Sequence, residues 1–402
     1  MIKIAVLGYG TVGSGVVELI ERNNTLLKER AGEEIVIKYI LDLRDFPGDP
    51  YEDKVVHDFG MILTDPEISI LCEVMGGVGA AYRFTKQALE AGKSVCTSNK
   101  ELVAKHGAEL LAIAGRMRCN YMFEASVAGG IPIIRSINSA LVADRVEAVT
   151  GILNGTTNYI LTKMEQEGAD YGDALKQAQE LGYAERNPEA DVEGLDTGRK
   201  IAILADMLTG KSVDPDKVAT EGITKITTAD FAYARAAGMT IKLLARCRVL
   251  EDGSAWVMVA PYMLPTEHSL GRVDDVFNGV QITCTMLGEA MFGGKGAGKL
   301  PTASAVAADV MDCAMHPGRT VMRAWSDEEA KLTDTAQTES RFFLRVKAGS
   351  ADTVRKAFAG SVPVTAEREE DEGFFTPAMK EKEFRAICAG LGDVVLNRIR
   401  LV

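Results

Sequence analysis

Between Gly182 and Lys200 the chain reads GYAERNPEADVEGLDTGRK, which crowds Glu185, Glu189, Asp191, Glu193 and Asp196 together and delivers Lys200 four residues after Asp196. A carboxylate and an amine at that spacing share one face of a helix. The apolar residues that follow, Ile201, Leu204, Ala205 and Leu208, recur with a helical period, so Asp196 falls near the N-terminus of a predicted helix. The Lys200 stem then lies at the edge of the apolar stripe. Partial desolvation there disfavours the ammonium and suits the amine to proton transfer. An ordinary capped helix would carry the same residues, because Asp is a preferred N-cap and such pairs steady an exposed helix by a few tenths of a kcal/mol. The oxygen spacing of a calcium loop is absent. The rest of the chain has to decide between these readings.

At 402 residues there is room for two or three domains, and 47% hydrophobic with 25% charged residues is ordinary for a globular protein. A net charge of −12 argues against non-specific binding to nucleic acid or anionic membrane. No apolar run approaches the ~20 residues that cross a bilayer, and the opening MIKIAVLGYG reads as a first strand rather than a signal peptide. Seven scattered cysteines, with no CxxC or Cys/His pairing, fit reduced core thiols in a cytoplasmic protein, without disulfides or structural zinc.

The strand of residues 2–7 stops at Gly8-Tyr-Gly10-Thr-Val-Gly13, and Val12, Val16, Val17 and Ile20 then form a helical stripe. Strand, glycine turn and helix together are the context in which Gly8, Gly10 and Gly13 bind a dinucleotide: the turn is tight, backbone can approach the pyrophosphate, and the helix N-terminus offers unpaired N–H groups. The second predicted strand, 35–41, ends in Asp42-Leu43-Arg44. An acid there favours NAD through the ribose hydroxyl and an arginine favours NADP, so both remain open.

Further strands at 69–75, 94–96 and 119–123 alternate with helices at 80–91 and 101–114, giving a doubly wound parallel sheet to about residue 130. Ligands bind such sheets beyond the carboxyl ends of the strands, where Gly76 and Lys100 fall. Residues 124–132 turn the chain into a second α+β domain. Gly151 to Asn158 leads a strand into a helix capped by Thr or Asn, and two strands flank Glu251-Asp252-Gly253 as a hairpin. Gly293 to Ser304 is a second glycine-rich loop without P-loop spacing. After residue 340 the predicted order is βαββαβ, the ferredoxin-like pattern.

These residues resemble the homoserine dehydrogenase family from residue 1 to about 320. The likeness rests on GYGTVGSGV, TSNKELVA, EASVAGGIP, GILNGTTNYIL, GYAERNP…DVEGLDTGRKIAILA and GKGAGKLPTASAV, in the family's order. It implies NAD- or NADP-dependent interconversion of L-homoserine and L-aspartate 4-semialdehyde, in the aspartate-derived route to threonine, methionine and isoleucine. It puts the acid–base lysine at Lys100 and the second active-site lysine at Lys200. It assigns Glu185 to the substrate ammonium and Asp196 to the reacting oxygen, with Asp191 a further substrate contact. Gly8, Gly10, Thr11, Val12 and Gly13 would hold the cofactor, completed by Asp42 or Arg44, Gly76, Ser98, Lys100 and Gly298. A structural sodium ion would sit on backbone oxygens of Glu124, Val127, Gly129 and Ile131.

The expected organisation is a Rossmann domain over 1–132 with 300–325 packing back onto it, a substrate-binding and dimerisation domain over 133–299, and an ACT-like module over 340–402. A homodimer or tetramer is expected, without an aspartokinase domain ahead of the strand that starts at residue 2. Two departures stand out. Arg186-Asn187 replaces the family's usual Ala-Asp, and the C-terminal module lacks the Asp-x-Pro-Gly turn after its first strand, which weighs against threonine feedback. Lys100 and Lys200 are expected to meet at one site, each making it easier for the other to be neutral. The rivals are an aldehyde dehydrogenase using Cys96 as nucleophile, which would need a base that no histidine motif supplies, and a non-catalytic dinucleotide sensor.

Overall fold

The computed structural model describes residues 1–367 and 370–402. They divide into two compact units. The first comprises Met1–Val146, Ala202–Pro215 and Gly294–Ala330; the second comprises Glu147–Ile201, Asp216–Gly293 and Lys331–Val402.

The first unit is built on a six-stranded parallel sheet. Its spatial order is Val55–Val56, Ile35–Leu41, Ile2–Leu7, Ile68–Glu73, Ser94–Thr97 and Tyr121–Met122. The order reverses between the strands that start at Ile2 and Ile68, the doubly wound topology that opens a ligand crevice at the strand ends. Ile4 to Leu7, Ile70 to Cys72, and Val95 with Cys96 are all buried, as continuous apolar runs covered on both faces require. Helix Thr11–Arg22 buries Gly13, Gly15, Val16, Val17 and Ile20, and meets helix Lys299–Met315 closely: a Cβ on Gly15 would lie 2.9 Å from the Lys299 carbonyl oxygen. Trp325 fills the space left by Gly107, where a Cβ would lie 2.4 Å from the indole. These small-for-large fits hold residues 294–330 in this unit.

The second unit carries a mixed sheet. Its path runs through Gly288–Lys295, Phe277–Cys284, Val146–Ile152, Met239–Val249, Ala255–Pro265, Val395–Leu401, Phe342–Val346, Glu372–Phe375 and Val362–Val364. Met239–Val249 and Ala255–Pro265 form the expected long hairpin, in register from Val249↔Ala255 to Met239↔Pro265. The C-terminal elements follow the βαββαβ order with one added two-residue strand, Met379–Lys380, ahead of the second helix, but their strands do not close a sheet of their own. Val395–Leu401 runs parallel to Ala255–Pro265 through Tyr262↔Arg400 and Met263↔Leu401, and so extends the larger sheet. Buried ions fasten that junction. Arg400 donates to Glu221 at 2.8 Å and to Glu381 at 3.0 Å, and Arg345 donates to the fully buried Asp230 at 2.8 Å. Element order along the chain cannot reveal such an edge-to-edge join, because the pairing partners are more than a hundred residues apart.

Candidate active site

The nucleotide turn follows from packing. Strand Ile2–Leu7 ends at Gly8, whose φ of +98° favours glycine, and helix Thr11–Arg22 begins behind Gly10 with no side-chain cap. A Cβ on Gly13 would stand 1.9 Å from the Gly8 carbonyl oxygen, whereas one on Gly10 would meet nothing within 4 Å. Gly8 and Gly13 therefore let the helix close on the turn, and Gly10 leaves open space in front of the uncapped N–H groups around Thr11 and Val12. Gly76 likewise borders open space.

A cavity of about 630 Å³ opens beside this turn, lined by Gly8, Gly10, Asp42, Arg44, His57 and Gly76 among others. Its size and its glycine floor fit a nucleotide. Asp42 accepts from the Tyr9 N–H at 2.8 Å and from the Arg44 N–H at 3.0 Å, and the Arg44 guanidinium grips it at 2.9 and 3.0 Å. The guanidinium holds the Asp42 carboxyl well below the usual carboxylate range, with the two N–H groups helping. His57 reaches the Asp42 carbonyl oxygen at 2.7 Å and Asp45 at 3.0 Å, and its ring pKa is raised, first by that carbonyl.

Lys100 is the first residue of helix Lys100–Met117, half-buried, behind Asn99, whose side chain caps the helix by accepting from the Leu102 N–H at 3.1 Å. Ser98 is half-buried and donates its N–H to the Glu73 carbonyl oxygen at 3.2 Å. Gly298, at φ +117°, starts helix Lys299–Met315.

The acid-rich stretch, in the second unit, resolves into an exposed turn, a short helix Glu189–Val192, and the start of helix Leu195–Thr209. Asp196 is the second residue of that helix rather than its cap, and is buried at 4% exposure. Its carboxylate lies 2.7 Å from the Lys200 ammonium and accepts from the Asn154 amide at 2.9 Å. The same amide reaches Asp191 at 2.7 Å, while the Asn154 oxygen caps helix Gly155–Glu167 at the Thr157 N–H. Lys200 also donates to the Leu153 carbonyl oxygen at 2.7 Å. Lys200 therefore meets an acid and a carbonyl oxygen together, the kind of partners that favour an ammonium. Asp191, Asp196 and Lys200 thus come together. Glu185 is exposed on the turn beside Arg186 and Asn187.

Asn154 was legible in the sequence only as a helix cap. That it bridges two acids from elements about 40 residues further on leaves no local trace.

The loop of Glu124, Val127, Gly129 and Ile131 is buried, with Ala128 and Gly129 at φ +56° and +59°. Among the described residues no backbone N–H donates to the Val127 or Gly129 carbonyl oxygen. Buried, unclaimed carbonyls on a tight turn are the donor set that a hard cation takes. The Glu124 carboxylate is not part of it, since it caps the Ile134 and Arg135 N–H groups at 2.8 Å. Cys96 is fully buried with its sulfur 3.6 Å from that of Cys313, and burial pushes its thiol well up. A nucleophilic cysteine needs the opposite environment, which removes the aldehyde dehydrogenase reading.

Comparison with known proteins decides among dinucleotide enzymes. Residues 8–124 match the family model described as the NAD binding domain of homoserine dehydrogenase, and residues 132–311 match the homoserine dehydrogenase model. The chain is 42% identical to the homoserine dehydrogenase of Bacillus subtilis over 318 residues, covering 77% of this chain and 72% of that protein. The chain belongs to the homoserine dehydrogenase family. It is 44% identical over 321 residues to the Mycobacterium tuberculosis enzyme, covering 78% and 73% of the two chains. The crystal structure of a homoserine dehydrogenase from Thiobacillus denitrificans superposes with a TM-score of 0.90 at 33% identity, over 100% of this chain and 98% of that one. As a homoserine dehydrogenase, the protein interconverts L-homoserine and L-aspartate 4-semialdehyde with a nicotinamide cofactor. A hyperthermophilic archaeal member, solved in complex with NADPH, matches 78% of this chain with a TM-score of 0.65 at 26% identity.

Proposed function

We propose that Lys100 takes the substrate hydroxyl proton as the aldehyde forms, while Lys200, steadied by Asp196, holds the reacting oxygen. The observation that carries this division is the buried Asp196–Lys200 pair, braced by Asn154 and the Leu153 carbonyl oxygen. A lysine fixed as an ammonium is a positioned electrostatic donor, which leaves the proton transfer to the other lysine. Glu185 and Asp191 receive the substrate ammonium; the exposure of Glu185 suits a group that acts once substrate is present. The bound nicotinamide accepts or delivers the hydride. Gly8 to Gly13, Gly76, Ser98 and Gly298 shape its site.

The variants Lys100→Ala and Lys200→Ala, followed by reduced-nicotinamide absorbance during homoserine oxidation, are each expected to lose about a thousand-fold in kcat. Near wild-type turnover in either folded variant removes the role given to that lysine.

The cofactor is NADP in preference to NAD. Arg44 neutralises Asp42, and Arg83 lines the same cavity, so a 2′-phosphate meets cations where a bare acid would repel it. Replacing Arg44 by Ser should raise the KM for NADP about tenfold and leave that for NAD within about two-fold. Equal changes for the two cofactors would contradict the assignment.

The buried carbonyls of Glu124, Val127, Gly129 and Ile131 would hold a sodium ion that supports the loop. Family likeness supports a homodimer or a tetramer, and the seven buried free thiols suit the reducing cytoplasm. The βαββαβ elements of residues 342–401 act as an ACT-like module, and their ionic fastening to the larger sheet suits a brace better than a threonine sensor.

A further inference from the structure

Glu73, the last residue of strand Ile68–Glu73, is a carboxylate with no exposure at all. One of its oxygens accepts from the Met75 N–H at 2.9 Å, and the other accepts from the Thr97 hydroxyl at 2.6 Å. Thr97 in turn accepts from the Asn99 N–H at 2.9 Å, and the Asn99 amide donates back to the Gly77 carbonyl oxygen at 2.6 Å. The circuit closes on itself. It joins the Met75–Gly77 turn, which borders the nucleotide cavity, to the turn that carries Ser98 and Lys100.

We propose that Glu73, Thr97 and Asn99 form a relay of positioning residues that fixes Lys100 relative to the cofactor turn. The inference rests on the role given to Lys100 above. An apolar residue at position 73 would fill the space without desolvating a charge, so stability does not explain a carboxylate there. The relay explains it, since an ionised carboxylate accepts on both oxygens and can bind the two turns at once. Burial pushes the Glu73 carboxyl up to about 7, against the opposing pull of its two donors. A folded-state value above the unfolded one means that ionisation costs stability as pH rises toward 7, and that the two-turn clamp is complete only above that pH. The titratable group facing Glu73 is Tyr121, on the next strand but one, whose buried hydroxyl has no hydrogen-bond partner among the described residues. Cys72 and Cys96, one position earlier on each strand, face Cys313 and Asp309 on helix Lys299–Met315 instead.

The test measures kcat and KM between pH 5.5 and pH 9 for Glu73→Gln, Thr97→Val and Thr97→Ser, beside Lys100→Ala. Wild-type kcat should fall as pH drops through about 7. Glu73→Gln, nearly isosteric and uncharged, should flatten that fall through about 7 relative to wild type while melting no lower. Thr97→Val should lose about tenfold in kcat, with KM for homoserine and cofactor within about two-fold, and Thr97→Ser should recover most of the loss. A Glu73→Gln profile that overlays the wild-type one overturns the relay whatever Thr97→Val does. If Lys100→Ala is inactive in that case, the relay alone has failed. An active Lys100→Ala removes the Lys100 assignment, and the relay with it.

Discussion

Gly13→Ala is expected to lose both stability and nucleotide binding, while Gly10→Ala loses only the second. The added Cβ at Gly13 would stand 1.9 Å from the Gly8 carbonyl oxygen, which belongs to the backbone of a turn already held at φ +98°. Neither partner is the flexible end of a side chain. The helix must move off the strand, at a cost of at least about 3 kcal/mol, the upper end for overpacking. At Gly10 nothing lies within 4 Å and φ is −82°, so alanine meets neither clash nor strain. Its methyl instead enters the space facing the helix N-terminus. Chemical denaturation should therefore place Gly10→Ala within about 0.5 kcal/mol of wild type, as for a substitution without strain. Titration of reduced-nicotinamide fluorescence should show weaker binding for both variants. A Gly13→Ala protein with wild-type stability would show that the turn and helix are packed differently.

Asp196→Asn should lower kcat/KM about a thousand-fold, the scale at which a charged, preorganised group acts in a water-poor site. The change preserves volume and removes one charge. Lys200, 12% exposed, then loses the carboxylate at 2.7 Å, and the Asn154 amide meets a second amide. Breaking one side of a buried pair costs about 3 kcal/mol because the other charge is left uncompensated. The melting temperature should drop accordingly. Restoring it with Lys200→Met in the same chain, without restoring turnover, would separate the structural share of the pair from its catalytic share. Turnover within about tenfold of wild type in Asp196→Asn would mean that this acid holds the helix and does no more.

Much of the architecture was legible because it is written locally. Alternating apolar strands and helical stripes over residues 2–123 predict the parallel sheet, and the glycine turn marks its ligand edge. The hairpin at 239–265 follows from two strand-like runs around a turn, and βαββαβ follows from element order alone. These signals come from neighbours within a turn or two of one another, where backbone geometry ties residue type to conformation.

The site was legible as residue types and less so as relationships. Asp196 and Lys200 declare themselves through their spacing on one helix. That Lys200 also donates to the Leu153 carbonyl oxygen, 47 residues away, leaves no mark on that spacing. Asn154 reads as a cap and acts as a bridge between Asp191 and Asp196. Glu73 reads as the end of a buried strand, and only the pairing of that strand with Ser94–Thr97 sets it against Thr97. Cys96, placed beside the TSNK motif, looked available as a nucleophile until burial against Cys313 removed it. By itself the sequence determined the elements, the glycine turn and which side chains have the chemistry to act. Tertiary structure decided which of them are paired, bridged or sealed away, because burial and hydrogen bonding are set by atoms that meet in space from distant parts of the chain.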